Sequence, residues 1–296
     1  MNKISLSIIV PAYRSVNTVS RSLRSLVDQT VAPSEVIVVD DGSDDGTAEA
    51  AEAMRDQLGD INLRVIRQIH KGAGAARNRA LKEAKFEYVA FLDADDEWLP
   101  EKLERSIIEL EKNNCILVSH DYIRCEPDGT EVLVPNCSKN FNRAGDPYVR
   151  LYRQGYIATS GVVTRRNAVL AAGGFDESLP TAQDFALWLS MLSKPETPFY
   201  IFSGALLRYH VTSGGITTHT ERRLRCTLEI ARRYFPTLKS RSIFPLVSLW
   251  YRVVAVHYEA IRAYVTQRRF GSALGVILRT PVNLVKLTFA CYLIED

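Results

Sequence analysis

Three short clusters, each directly following an apolar run, hold the residues best placed to do chemistry. Pro11, Ala12 and Tyr13 follow residues 5–10 (SLSIIV), Asp40, Asp41, Gly42 and Ser43 follow residues 35–39 (EVIVV), and Asp93, Ala94, Asp95 and Asp96 follow residues 88–92 (YVAFL). Alternate carboxylates just past an extended segment can converge on a hard cation that keeps some waters and takes its other oxygens from substrate phosphates. Taken alone, such a pair more often caps a helix or stays solvated in a loop. Crowded at one rim, however, unpaired carboxylates repel one another, so a positive group is expected among them, and a divalent cation with a nucleoside diphosphate fits best. A further cluster, residues 71–78 (KGAGAARN), is a glycine turn opening a helix with Arg77 in its first turns. It suits an anionic or carbonyl-bearing ligand, or places Arg77 against a rim carboxylate.

The three runs read as buried parallel strands. Helical spacing lies between them: Val19, Leu23, Leu26 and Val27, then the alanine-rich stretch from Thr47 to Leu58, then residues 74–84. Alternation of this kind predicts an α/β fold, a sheet with helices on both faces whose ligands gather at the carboxyl ends of the strands. Residues 100–113 carry proline in the first turn and Leu103, Ile107 and Leu110 on one face, which predicts a helix. Residues 116–124 and 130–134 around Pro127-Asp128-Gly129 predict a hairpin, and residues 158–164 another strand. Trp188 reads as core, whereas Trp98, just past the acids, reads as pocket lining, and the turn at Gly173 and Gly174 is expected to bring Phe175 to the acceptor side. The remaining histidines, His70, His120, His219 and His257, have no ligand spacing and read as structural.

Composition sets the outer bounds. With 296 residues, 46% hydrophobic, 24% charged and a net charge of +3, the chain is an ordinary globular one, which excludes disorder and collagen. Five scattered cysteines with no C-x-x-C pair do not make a disulfide framework, and the apolar run after Lys3 is too short for a signal peptide, so a cytoplasmic protein is expected. Residues 221–296 hold thirteen Lys and Arg against five Asp and Glu, a charge of +8 that leaves −5 for residues 1–220. Two parts are therefore expected, a body over 1–220 and a basic helical extension over 221–296. Arg252, Glu259, Arg279 and Lys286 interrupt the apolar sectors of that extension, so a spanning helix is not expected. Peripheral contact with an anionic membrane face competes with plain packing on the body or on a second subunit. Nucleic acid is not an expected partner, because the cations alternate with long apolar sectors.

Together these motifs resemble the family 2 glycosyltransferases, inverting, metal-dependent enzymes with a GT-A fold, a Rossmann-like mixed sheet flanked by helices. The resemblance runs from Ser5 to about Ser213 and rests on SIIVPAY (7–13), VIVVDDGSDDGT (36–47), GAGAARN (72–78), YVAFLDADDEW (88–98), GGFDE (173–177) and QDFALWL (183–189). It implies that Pro11 and Tyr13 line the nucleotide pocket, that Asp41 accepts from the base N–H, and that Arg77 helps hold the nucleotide. It further implies Asp95 as direct ligand of Mn²⁺ or Mg²⁺, Asp93 at the ribose or the metal's water shell, and Asp184 as general base. His210 falls where similar enzymes often have a histidine near the diphosphate, as a third metal or phosphate contact or as a strand-end structural residue. The chain departs from the pattern with Gln183 where the family usually has glutamate.

The donor implied is a nucleotide sugar, with UDP favoured over GDP or TDP. The acceptor implied is a carbohydrate or lipid-linked hydroxyl in surface polysaccharide or glycolipid synthesis, with a soluble or protein acceptor as the alternative. An aspartate-nucleophile phosphatase fits less well, since Asp95 is followed by Asp96 and Glu97 and its strand is not the first. A nucleotidyltransferase lacks its glycine and basic signature near Pro11, and a catalytically silent nucleotide-sugar-binding protein does not need both Asp95 and Asp184.

Overall fold

The computed structural model describes residues 3–212 and 219–292. The first half alternates β1 (Lys3–Ala12), α1 (Val19–Val27), β2 (Ala32–Asp40), α2 (Thr47–Glu52), β3 (Asn62–Arg67), α3 (Ala73–Glu83) and β4 (Tyr88–Phe91). A two-residue β5 (Glu97–Trp98), α4 (Lys102–Lys112) and the hairpin β6 (Leu117–Cys125) and β7 (Glu131–Val134) follow. Then come α5 (Asn136–Phe141), α6 (Pro147–Gln154), a 3₁₀ turn (Thr159–Gly161), β8 (Val163–Arg165), α7 (Arg166–Ala171), α8 (Gln183–Met191) and β9 (Phe199–His210). The described residues end in four helices: α9 (Thr220–Arg233), α10 (Phe235–Arg241), α11 (Pro245–Thr266) and α12 (Phe270–Tyr292). Ser213, Glu295 and Asp296, which enter the sequence readings above, lie outside the described residues.

The strands form one mixed sheet in the order β3-β2-β1-β4-β8-β6-β9-β5, with β7 on β6. β3, β2, β1 and β4 are mutually parallel, and β4 meets β8 antiparallel. The apolar runs of β1 and β2 conceal a period of two. Ile8, Val10, Val36 and Val38 pack with α1, α2 and α4, while Ile9, Ile37 and Val39 pack with α3, α6 and α8. Burial on both faces explains why polar residues do not alternate in these strands. Because β1, β2 and β4 run the same way, their carboxyl ends deliver Tyr13, Asp41 and Asp93 to one edge.

Three expectations need correction. Residues 158–164 are not a continuous strand. The 3₁₀ turn interrupts them because the Ser160 carbonyl accepts from the Trp98 indole N–H at 2.7 Å, which leaves only β8 for the sheet. Trp98 does not line a pocket: at 2% exposure, it is pulled inward by β5 pairing with β9, and the Lys102 ammonium lies 3.8 Å from its ring centroid. Phe175, at 2% exposure, is packed against Phe91 and Trp188 and faces no acceptor. Trp188 is core as expected.

The C-terminal helices continue the body's core. Ile230, Ala231, Phe235, Leu238, Leu249 and Val253 share one apolar cluster with Trp188 and Tyr152. The Tyr152 hydroxyl donates to the Ala231 carbonyl at 2.6 Å, and the Arg241 guanidinium meets Asp146 at the start of α6 at 2.8 Å. The two charges in α12 do not interrupt it. Residues Phe270–Cys291 form one helix long and apolar enough to cross a membrane by length and composition, with only 11% of its most apolar window buried.

Candidate active site

Where β1 and β2 end, the backbone is tied before any side chain acts: the Asp41 N–H donates to the Ala12 carbonyl at 2.8 Å. Pro11 is buried, and Tyr13, 41% exposed, stacks on the His70 ring with centroids 4.2 Å apart. Asp41 is 2% exposed, and its carboxylate accepts from Gln68 Nε2 (2.7 Å), Lys71 N (2.9 Å) and Gly72 N (2.7 Å), with His70 Nδ1 at 2.9 Å. In this structure it organises the loop leading into α3, a task that the expected contact with a base N–H must share. Gly42 makes the approach possible, since a Cβ there would come within 2.8 Å of the His70 amide nitrogen. His70 therefore stands in the candidate nucleotide pocket. The sequence reading missed it, because its neighbour Asp41 is remote in the chain and no local spacing marks it.

α3 carries Arg77 beneath the second acidic cluster. The guanidinium is 7% exposed, lies over the Phe175 ring at 5.3 Å, and donates from Nη2 to Asp93 Oδ1 at 2.6 Å. Burial opposes its charge, while Asp93, Asp184 and Asp95 favour it, and its pKa is raised. Arg77 thus holds a rim carboxylate, Asp93, one of the two uses its position allowed. Its Nε is buried without a partner.

The loop of residues 93–96 is held from several sides. Ser22 Oγ donates to the carbonyls of Asp93 (2.8 Å) and Asp96 (2.5 Å), and Arg21 Nη2 donates to the Asp95 carbonyl at 2.6 Å. Asp95 Oδ2 accepts from Thr212 Oγ1 at 3.0 Å, and burial followed by the Asp93 charge pushes its pKa up. Asp96, 1% exposed, is pushed well above the usual carboxylate range, first by burial, then by Asp93 and Asp95. It accepts from Ser160 Oγ at 2.5 Å and from the His210 backbone N–H at 3.3 Å.

Among the described residues no three His, Cys, Asp or Glu side chains converge as a preformed metal cage. His210 lies at the end of β9 beside this loop: its Nε2 stands 3.5 Å from Glu97 Oε2, and burial, then Arg21, depresses its pKa. The donor set nevertheless fits a hard cation. It is all oxygen, it carries more negative charge than Arg77 offsets, and it leaves coordination positions for phosphates and water.

Asp184 is the second residue of α8, which opens on Ala182 in the left-handed region at φ 61° without a side-chain cap. Its carboxylate serves two donors, one of them an amide of the helix's first turn. Thr159 Oγ1 donates to its Oδ2 at 2.6 Å, and the Phe185 N–H reaches Oδ1 at 2.8 Å. Gln183 is 5% exposed, donates from Nε2 to the Leu179 carbonyl at 2.7 Å and packs against Gly74 of α3. An amide suits that site physically, since a carboxylate would face a carbonyl oxygen with no proton between them.

A family model described as "Glycosyl transferase family 2" matches residues 7–168. The chain is 30% identical over 217 residues to the putative teichuronic acid biosynthesis glycosyltransferase TuaG of Bacillus subtilis, covering 72% of this chain and 82% of that one. It is 33% identical over 194 residues to WfgD of Escherichia coli, a UDP-Glc:alpha-D-GlcNAc-diphosphoundecaprenol beta-1,3-glucosyltransferase, covering 65% and 71%. It spans only 26% of a longer glycosyltransferase of Rickettsia bellii. In fold it is similar to S. aureus TarS 1-349 in complex with UDP-GlcNAc (TM-score 0.66, 21% identity, 94% and 81% covered). It is similar also to the mannosyltransferase PcManGT of Pyrobaculum calidifontis in complex with GDP-Man and Mn²⁺ (TM-score 0.64, 17% identity, 99% and 88% covered). The fold is of the GT-A type.

Proposed function

This chain belongs to glycosyl transferase family 2, and we propose that it moves a sugar from UDP to an acceptor hydroxyl in one inverting displacement. The observation that carries the proposal is the gathering of Asp93, Asp95 and Asp184 around one buried arginine, Arg77, at the carboxyl edge of the sheet. The Tyr13 and His70 rings and Asp41 frame the base end, past the ends of β1, β3 and β2, with β1 between Asp41 and Asp93. Asp95, with Asp93 beside it, would hold Mn²⁺ or Mg²⁺, which when bound supplies charge neutralisation for the departing diphosphate. Asp184 takes the proton from the acceptor hydroxyl as that oxygen attacks the anomeric carbon from the face opposite the leaving group. A hydroxyl must lose its proton in that step, and a nearby carboxylate lowers the barrier without becoming covalently attached.

The acceptor is a lipid-linked saccharide in surface polysaccharide or glycolipid synthesis. That reading draws on the printed activity of WfgD and the printed role of TuaG, together with the outward face of α11 and α12. Phe270, Leu274, Leu278, Val282, Val285 and Phe289 recur along one exposed side of α12, beside exposed Trp250, Val254 and Tyr258 of α11. The opposite sides hold Ala273, Val276, Val256, Ala260 and Tyr264 in a buried cluster, and Asn283 Nδ2 meets His257 Nε2 at 3.0 Å. A helix fixed to protein along one side and apolar along the other lies flat in the interface, with Arg268, Arg269 and Lys286 facing anionic headgroups.

Donor choice is read by thermal unfolding with Mn²⁺ and UDP, GDP or dTDP in turn. UDP is expected to raise the midpoint most, because a ligand that binds only the folded state stabilises it by mass action. A larger shift with GDP or dTDP would replace UDP, and none with any of the three would defeat the nucleotide-sugar reading.

A further inference from the structure

The turn Thr159–Gly161 presents two adjacent hydroxyls to carboxylates on opposite sides of the site. Thr159 Oγ1 donates to Asp184 Oδ2 at 2.6 Å, while Ser160 Oγ donates to Asp96 Oδ2 at 2.5 Å and accepts from the Asp93 N–H at 3.1 Å. The turn cannot slide. The Ser160 carbonyl holds the Trp98 indole at 2.7 Å, and Gly161 lies so close to β6 that a Cβ would come within 2.8 Å of Ser119 Oγ.

We propose that Thr159 and Ser160 are positioning residues that hold the acceptor-side carboxylate and the donor-side acidic loop in one frame. The inference rests on the reading of Asp184 as general base. Asp184 lies close enough to Arg77 for its charge to favour the guanidinium, and Arg77 Nε is buried with no partner. A short hydrogen bond from Thr159 competes with that cation for the Asp184 carboxylate. Without it, the side chain is free to turn toward Arg77 and form an ion pair, which draws the base off the acceptor. Ser160 acts on the other side, where its hydroxyl fixes Asp96 and the Asp93 amide together and so sets the height of the loop that presents Asp95.

The two hydroxyls should therefore separate kinetically. The assay is UDP release from UDP-glucose with Mn²⁺ and a synthetic GlcNAc-diphosphoryl lipid, paired with calorimetric UDP affinity. Thr159→Val is expected to lower kcat about tenfold or more while leaving UDP affinity within about twofold, and Thr159→Ser to restore most of the rate. Placed on Asp184→Asn, Thr159→Val should add less than about threefold, because both changes remove one function. Ser160→Ala should instead weaken Mn²⁺-dependent UDP binding by about fivefold or more. A kcat within about twofold of wild type in Thr159→Val, or the same loss on both backgrounds, overturns the role of Thr159. UDP affinity unchanged in Ser160→Ala overturns that of Ser160. Near-normal turnover in Asp184→Asn is a different result, and it overturns the reading of Asp184 as base.

Discussion

Arg77 decides how closely the carboxylates of the site can approach one another. Its single buried charge touches Asp93 and is favoured by Asp95 and Asp184, leaving a net negative rim. The next residue, Asn78, acts on the backbone instead. Its Oδ1 accepts from the Phe175 N–H and its Nδ2 donates to the Phe175 carbonyl, both at 2.8 Å, which pins the turn after Gly173 and Gly174. Asn78→Ala leaves both backbone groups without these partners and is expected to destabilise the fold by about 1–3 kcal/mol. Urea unfolding measures it, and an unchanged midpoint would remove Asn78 from that role. The carboxylates were legible in the sequence because two of them alternate in one short run. Their partners were not. Thr159, Ser160 and His70 acquire their roles from residues 25, 64 and 29 positions away, respectively, and local spacing carries no trace of such pairs.

At the level of elements, apolar runs named β1, β2 and β4 because strands buried on both faces show no polar alternation. Aromatic placement was harder. Trp98 follows five acidic or small residues and reads as pocket lining, yet β5, only two residues long, turns it inward by pairing Glu97 and Trp98 with Arg208 and Leu207 of β9. Helix ends carry a testable load. Asp146 caps α6 by accepting from the Tyr148 N–H at 2.7 Å, and it also accepts from Arg241 Nε, whose side chain is 8% exposed. Asp146→Ala removes the cap and leaves a nearly buried cation without its carboxylate. A loss of about 2–4 kcal/mol is expected from the two terms together. Arg241→Ala should lose less, since the cap survives. Equal losses from the two, read by urea unfolding, would assign the whole effect to the ion pair.

On the scale of the whole molecule, the body and the tail share one core, but their charges differ in sign, and the tail shows its apolar side outward. The charge asymmetry was legible from composition; the continuity of α12 was not, because Arg279 is drawn aside to Glu221 at 2.7 Å and does not break the apolar face. Flotation with phosphatidylglycerol vesicles is expected to carry the protein upward at low salt and less so at high salt, and phosphatidylcholine vesicles to carry little. Reversing Arg268 and Arg269 to glutamate should weaken binding further. Binding to neither vesicle, with a dimer in sedimentation, would assign the apolar face to a second copy of the chain.

At the rim organised by Arg77, Asp95 is expected to present a cation to a nucleoside diphosphate. Calorimetric titration of UDP with and without Mn²⁺, in the wild type and in Asp95→Ala, measures it most directly. Mn²⁺ is expected to raise UDP affinity by about tenfold or more in the wild type and to have little effect in the variant, which has lost the carboxylate that holds the cation. The same Mn²⁺-dependent affinity in both proteins would remove Asp95 from the cation site.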